Sequence, residues 1–369
     1  MIRILQVVGT MDLGGAETFL MNIYRNVDRE KVQFDFLCHN RTESKYAAEI
    51  ERLGGRMFCI PGMSHLGFFR YQRNLYAFFK AHPEYRVVHS HQNELGGIIL
   101  KQAKRAGVQK RIAHSHTVYP GKSLSYRLRL WIFRQYFRNN VTHPLACSVP
   151  AGLGLYRGTQ RRTFRTIPNV IDVEKFRFSE QQRTEKRAEL GLKDGLVLGH
   201  VGRFAPVKNH KKIIEVFHAV WKRQPNATLV LVGEGELFAS VQEQAKACGL
   251  SDSVRFLGAR TDVSALMSAW DVLLFPSINE GLPVTVVEAQ AAGLKVVTSD
   301  RISEDTVITD RILRVPLMAD AEEWADVVLH AWGETERSCR TRYADAVRAK
   351  GFDAVQTASE FERLYLEEK

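Results

Sequence analysis

Short β-rich runs alternate with amphipathic helical stretches along the whole chain, and this alternation restricts the fold more than any other feature. In the first half "IRILQVVG", "VQFDFLCH", "RMFCIPG", "YRVVHSH" and "KRIAHSHT" are separated by helical segments such as "AETFLMNIYRNV" and "LGGIILKQAKRAG". Strands that alternate with helices make βαβ units, and such units build parallel sheets. Residues 165–178, "RTIPNVIDVEKFRF", place Pro and Asn inside extended residues and read as a linker. The scheme then restarts with "LVLGHVGRF", "ATLVLVGEG", "VRFLG", "DVLLFPS" and "KVVTSD". The expectation is an α/β protein of two doubly wound domains, residues 1–168 and 169–350, facing each other across a cleft. A terminal helix follows at 351–369, with Phe352, Val355, Phe361, Leu364 and Tyr365 available for burial.

Length agrees, because 369 residues exceed the size at which one core keeps growing. With 45% hydrophobic and 25% charged residues the composition is that of a soluble globular protein. Five cysteines without CxxC or Cys/His spacing fit a reduced, cytoplasmic protein without structural zinc. The opening "MIRILQVVGTMDLGGAE" reads as a first strand, not a signal peptide. No run reaches the roughly 18 apolar residues of a spanning helix, so membrane contact is expected to be peripheral at most. The net charge of +11 is concentrated: residues 101–165 hold 14 Lys or Arg and no Asp or Glu. Such a block is either a solvated basic face or a surface for an anionic partner.

Several loops after strands carry chemistry. Gly14 and Gly15 precede a helix whose first turn holds Glu17; paired glycines admit a ligand close to backbone N–H groups, although the same pattern also makes a plain tight turn. Arg203 and Lys208 stand five residues apart just ahead of a helix, a sensible pair for a diphosphate, or simply a solvated loop. In "PSINEGLPVTVVEAQAAGLKVV", Glu280 falls in a loop and Glu288 on the following helix. The two acids suit hydroxyl groups of a sugar and a ribose better than a general acid and base pair. Val286, Val287, Ala289, Ala291 and Ala292 surround Glu288, so it does not read as a solvated helix residue.

The seven residues between Glu280 and Glu288 make this stretch resemble the E-x7-E signature of retaining GT-B glycosyltransferases, in particular glycosyltransferase family 4. "GRFAPVKN", "LVGEG", "VRFLGARTDV" and "IPNVIDVEKF" occur in that family's order, and "VVGTMDLGGAE" resembles its N-terminal glycine loop. The resemblance covers nearly the whole chain. It implies two Rossmann-like domains, with the last helix crossing back onto the first. It also implies a nucleoside-diphosphate sugar donor, expected to be a UDP-sugar, no metal ion or other cofactor, and retention at the anomeric carbon. On this reading Arg203 and Lys208 hold the diphosphate and Gly14 and Gly15 close on it. Glu280 and the amides of Gly281 and Leu282 bind the donor sugar, Glu288 binds the ribose, and Phe256, Leu257 and Arg260 frame the base. The catalytic set it implies is Glu280, His116, Arg203 and Lys208.

Histidines cluster in the first half, His89 with His91 and His114 with His116. No carboxylate cluster accompanies them, so no metal site is expected. His116 best matches the family's histidine near the donor sugar, and His91 is placed on the acceptor side. Within "GKSLSYRLRLWIFRQYFRNN", Tyr126, Leu130, Phe133 and Phe137 share one helical face beside Arg127, Arg134 and Arg138. That face fits an anionic membrane surface and core packing equally well. The expected acceptor is a glycan or a polyprenyl-diphosphate-linked sugar, Arg127 and Arg134 lie on its side, and no nucleic acid is expected. The expected location is cytoplasmic, with a peripheral position at the inner face of the cell membrane left open. Competing functions are a nucleotide-sugar epimerase of the same architecture and a non-catalytic protein that binds anionic membranes or nucleic acid.

Overall fold

The structure, a computed structural model, describes residues 1–12, 14–40, 44–117, 124–157, 163–192, 194–280, 282–334 and 337–367, without the side chains of 124–127 and 337. It forms two compact units, Met1–Val170 with Ala354–Lys369, and Ile171–Asp353. In the first unit β1 (Ile2–Val7), β2 (Val32–Cys38), β3 (Met57–Cys59), β4 (Val87–Ser90), β5 (Lys110–Ser115), β6 (His143–Ala146) and β7 (Arg165–Thr166) make one parallel sheet. Their order is β3-β2-β1-β4-β5-β6-β7. The helices between them are α1 (Gly15–Asn26), α2 (Ala47–Arg52), α3 (Met63–Leu66), α4 (Phe68–Ala81), α5 (Gly96–Ala106), α6 (Leu124–Gln135) and α7 (Val149–Tyr156).

The second unit repeats the plan. Strands β8 (Val197–Val201), β9 (Thr228–Val232), β10 (Val254–Phe256), β11 (Val272–Phe275), β12 (Lys295–Ser299) and β13 (Ile312–Val315) run parallel in the order β10-β9-β8-β11-β12-β13. Its helices are α8 (Glu180–Glu189), α9 (His210–Arg223), α10 (Phe238–Ala247), α11 (Val263–Ala269), α12 (Val284–Ala291), α13 (Ala321–Gly333) and α14 (Arg342–Ala349). The last helix, α15 (Ala354–Leu366), belongs to the first unit.

Parallel strands covered on both faces need apolar residues in both directions, and β2 and β9 are buried at every position. Successive residues feed opposite cores: Ile4 packs with Phe34 and Phe36 on one side of the first sheet, and Leu5 with Leu75, Val88 and Ile98 on the other. α15 closes the former side. Its Phe361 and Tyr365 rings lie 6.1 Å from Phe19 and 5.9 Å from Phe34. The buried Lys110 ammonium donates to the carbonyl oxygens of Leu364 and Glu367, where the helix C-terminus favours a cation.

Each sheet reverses direction once. β1 pairs with both β2 and β4, and β8 with both β9 and β11, so the loops leaving those strands diverge and open a crevice at their carboxyl ends.

Three segments differ from the sequence expectation. The proposed linker is divided: Arg165 and Thr166 pair with β6 as an edge strand, while Ile171 bridges to Asp353 within the second unit. α7 forms despite Gly152 and Gly154, because the Ser148 hydroxyl caps it by accepting from the Ala151 N–H at 3.3 Å and Pro150 suits a first turn. On the apolar face running through α6 and the turn after it, the choice between membrane and core is decided for Leu130, Phe133 and Phe137, which are buried; Phe133 and Phe137 join the core around Tyr71 and Ile98. No helix among the described residues is long and apolar enough to cross a membrane.

Phe361 is 1% exposed, so Phe361→Ala leaves a cavity between α15 and the first sheet. A loss of about 3 kcal/mol in unfolding free energy is expected from urea denaturation.

Candidate active site

In the second unit the crevice loops are fastened to one another through backbone groups. Gly202 N–H donates to the Val232 carbonyl (3.0 Å), Phe204 N–H to that of Glu234 (2.9 Å), and Gly233 N–H to that of Gly258 (2.8 Å). Ile278 N–H donates to the Val207 carbonyl at 2.8 Å, which ties in the loop after β11. Glycine is required at two of these points. Gly233 and Gly235 have φ of 138° and 154°, and a Cβ at either would meet the Gly202 or Phe204 carbonyl oxygen at 2.1 or 2.5 Å. "LVGEG" is therefore a packing device for the neighbouring "GRF" loop, a role that sequence order alone does not reveal.

On that platform the Lys208 ammonium sits 2.7 Å from the Glu280 carboxylate and 4.7 Å from the Phe275 ring centroid. Arg203, on the same loop, is exposed, and its side chain has no hydrogen bond or ion pair among the described residues. Beneath them lie His200 and His210, which sequence reading did not single out. His200 Nδ1 is 2.9 Å from the Leu274 carbonyl oxygen, and the His210 ring stacks on Phe204 at 4.0 Å. Burial and the Lys208 charge lower the His210 pKa to about 4, so the floor stays neutral at pH 7. Glu288 lies on α12 among buried Val286, Val287 and Ala289, and burial raises its carboxyl pKa to about 7.

The remaining expected donor residues divide. Leu282 packs partly buried against the core below α12, and Gly281 lies outside the described residues. Leu257 N–H donates to the Leu231 carbonyl at 3.0 Å, fixing the loop after β10 beside Phe256. The Arg260 guanidinium is engaged with both Asp262 oxygens (2.8 and 2.7 Å) and with Glu189 (3.1 Å). Those pairs occupy the Arg260 guanidinium and hold the loop.

The first unit has its own crevice, a cavity of about 380 Å³ bordered by Gly9, Thr10, Gly15, Glu17, His91, Asn93, His116 and Asn169. The structure thus brings Gly15, His91 and His116 together, with Gly14 as the N-cap of α1. His116 is held on both sides: Nε2 is 2.8 Å from His91 Nδ1, and Nδ1 is 3.3 Å from Asn169 Oδ1. Burial lowers its pKa to about 4. A neutral pair has one N–H and one lone pair left for its outer ends, so one flanking amide presents oxygen and the other its NH2 group. The chain of contacts continues from His91 Nε2 to Gln6 (3.0 Å), then to the Tyr365 hydroxyl (3.3 Å) and His89 Nδ1 (2.8 Å). His116 therefore borders the cavity as a fixed neutral ring, each nitrogen with a protein partner.

His89, His91 and His114 also place ring nitrogens within 4.8 Å of one another, a spacing that can hold a metal ion. A cation there would have to displace His116 or Gln6 from His91. On the expected acceptor side, the Arg134 guanidinium donates to the Gly154 carbonyl of α7, and the Arg127 side chain lies outside the described residues. A second cavity of about 380 Å³, bordered by His39, Ser64, Gln92, Glu94, Arg129 and Phe133, adjoins the first through Gly9 and Gln92.

Glu288 supplies a pH test. Its folded pKa of about 7 exceeds the ordinary 4.5, so the folded protein holds a proton that the unfolded chain releases between these values. Stability contributed by this group is full below pH 4.5 and lost as pH rises through 7. Glu288→Gln should match the parent below pH 4.5, gain on it through that window, and be more stable by about 3 kcal/mol at pH 8, measured by ligand-free denaturation at each pH.

Residues 13–175 match the family described as Glycosyltransferase Family 4, and residues 182–332 that described as Glycosyl transferases group 1. EpsF of Bacillus subtilis, whose name assigns it provisionally to the glycosyltransferases, is 35% identical over 98% of this chain and 96% of its own. An Escherichia coli UDP-Gal:alpha-D-GlcNAc-diphosphoundecaprenol alpha-1,3-galactosyltransferase is 22% identical over 96% of this chain and 94% of its own. Among solved structures, Anabaena HepE in complex with UDP superposes with a TM-score of 0.80, at 18% identity and 99% coverage of both chains. A fold of two doubly wound units, an E-x7-E stretch seated on the second, and full-length similarity to a named glycosyltransferase converge: the chain is a GT-B glycosyltransferase and belongs to glycosyltransferase family 4.

Proposed function

We propose that the enzyme moves a hexose or N-acetylhexosamine from a UDP-sugar to a glycan or polyprenyl-diphosphate-linked acceptor in cell-surface polysaccharide synthesis, with retention and without a metal ion. The observation that carries the reading is the Lys208–Glu280 pair at 2.7 Å beside an Arg203 whose side chain has no partner among the described residues. A diphosphate arriving between the two cations takes up Lys208 and frees Glu280 to accept from a sugar hydroxyl. Lys208 and Arg203 then supply the positive charge that a metal provides in other transferases, where charge develops on the leaving oxygen. The acceptor oxygen bonds to the anomeric carbon on the face that the phosphate leaves. The carbon–phosphate oxygen bond breaks with its electrons going to UDP, and the acceptor proton passes to that departing oxygen. No side chain is required as a base. Glu288 accepts from the ribose hydroxyls, and binding there favours its ionised form. Support for uridine comes from HepE, solved with UDP and with UDP-glucose; support for a lipid-linked acceptor comes from the E. coli galactosyltransferase's name.

Thermal unfolding with UDP, GDP and ADP, each with and without EDTA, tests the donor reading. UDP alone should raise the midpoint, by the same amount in EDTA. Lys208→Ala should abolish the shift and lower turnover of the matching UDP-sugar at least about a hundredfold. A GDP or ADP preference, or a shift that EDTA removes, would overturn it.

A further inference from the structure

We propose that His200 is the positioning residue of Lys208: its Nε2 lone pair takes one N–H of the Lys208 ammonium when that ammonium leaves Glu280 for the donor's phosphates. The proposal rests on the donor reading given above. His200 lies near the end of β8, fully buried, with Nδ1 2.9 Å from the Leu274 carbonyl oxygen. A carbonyl only accepts, so Nδ1 carries the ring proton and Nε2 presents a bare lone pair. That lone pair has no hydrogen-bond partner among the described residues. Buried acceptors are rarely left in that condition.

Gly202 locates the space that Nε2 borders. A Cβ placed on this glycine would meet His200 Nε2 at 2.9 Å and the Lys208 Cδ and Cε at 3.2 and 3.3 Å, so the lone pair and the lysine stem line one small gap that glycine leaves open. The Lys208 ammonium stands 4.7 Å from the Phe275 ring centroid, and the His200 ring stacks on that same ring at 5.6 Å. The backbone around the lysine is held. Asn209, the next residue, has a left-handed φ of 57°, which few residues other than glycine and asparagine adopt, and its amide donates to the Pro276 carbonyl at 3.2 Å. A change of partner therefore falls to the lysine side chain.

Neutrality suits an imidazole to this task. An ammonium has three N–H groups, and Glu280 lies 2.7 Å from that of Lys208. A carboxylate in the place of His200 would also hold the lysine, but it would cancel the charge that the phosphates need; a neutral lone pair orients the ammonium and leaves its charge whole. Burial, the His210 ring 4.9 Å away and the Lys208 charge lower the His200 pKa and keep the ring unprotonated. Once released from Glu280, a four-carbon stem without a second contact would lose its orientation to rotamer freedom.

The test is calorimetric titration of the full chain with UDP, together with nitrogen NMR of its histidine rings. Saturating UDP should move the His200 Nε2 signal of the parent from the free-acceptor range toward the hydrogen-bonded range, the signal being assigned as the one missing from whichever His200 variant folds. His200→Asn keeps an N–H for Leu274 but is too short to replace the lone pair, and should weaken UDP at least about tenfold. His200→Gln carries an acceptor oxygen to the far end of its side chain and should stay within about threefold of the parent. The proposal fails if saturating UDP leaves the Nε2 signal unmoved, or if His200→Asn binds UDP no more weakly than His200→Gln, which would reduce the ring to packing. A parent that binds GDP alone, with the same movement of the signal, upholds the proposal and sinks the uridine reading. Binding of no nucleoside diphosphate overturns both.

Discussion

Everything at the candidate site depends on the reversal of strand order in each parallel sheet. Where β8 sends one crossover toward β9 and the chain returns at β11 on its other side, the loops leaving the two strands part. An uncovered gap in a buried sheet would leave backbone groups without partners, and the second unit meets that demand by bonding the loops to one another. Rigid loops follow from this. Lys208, paired with Glu280, is held at the mouth of a gap whose backbone is braced by these bonds, and Arg203 extends from the same loop.

The two crevices differ in electrical character. That of the second unit offers Lys208 and Arg203 above neutral His200 and His210, so positive charge is confined to the two side chains that face outward. Charged histidines below them would repel Lys208 and favour its withdrawal, and burial prevents this. Among the described residues the cavity of the first unit has no lysine or arginine on its border; it offers neutral histidines, amides and Glu17, groups suited to hydroxyl-bearing ligands. One crevice with outward cations over a neutral floor and one bordered by neutral rings, amides and a carboxyl is a division that follows from desolvation as much as from residue type.

The sequence read well where a single physical rule decides the outcome. Alternating strands and helices dictated two doubly wound units, and the spacing of Glu280 and Glu288 put one acid on a loop and the other on a helix. It read poorly where two rules compete. Helical periodicity groups Leu130, Phe133 and Phe137, but Leu128, Trp131 and Ile132 are equally apolar, and only packing decides which set turns inward. α7 was passed over because glycines at 152 and 154 lower helix propensity, while the compensating Ser148 cap and Pro150 are short-range signals of the same size. β7 is two residues long beside a proline and β13 follows a loop rich in polar residues, so neither leaves a period to detect. His200 and His210 gave no signal at all, since a buried neutral histidine and an exposed charged one look alike in sequence.

The buried polar chain of the first unit connects two features that appear separate along the sequence. A core containing Gln6, His89, His91, His114 and Tyr365 carries a desolvation cost that apolar residues would avoid, and that cost is offset only where partners meet. The partners come from both ends of the chain: Gln6 from the first strand and Tyr365 from the last helix, 359 residues later, with Tyr365 also on His89. α15 therefore does more than cover Phe34 and Phe36. By engaging Gln6 it fixes the group that faces His91, and His91 in turn fixes the ring of His116 at the cavity wall. The orientation of a ring beside the glycine loop is thus set by a tyrosine on a helix that the chain makes last, which gives the return of that helix to the first unit a consequence for the site as well as for the core.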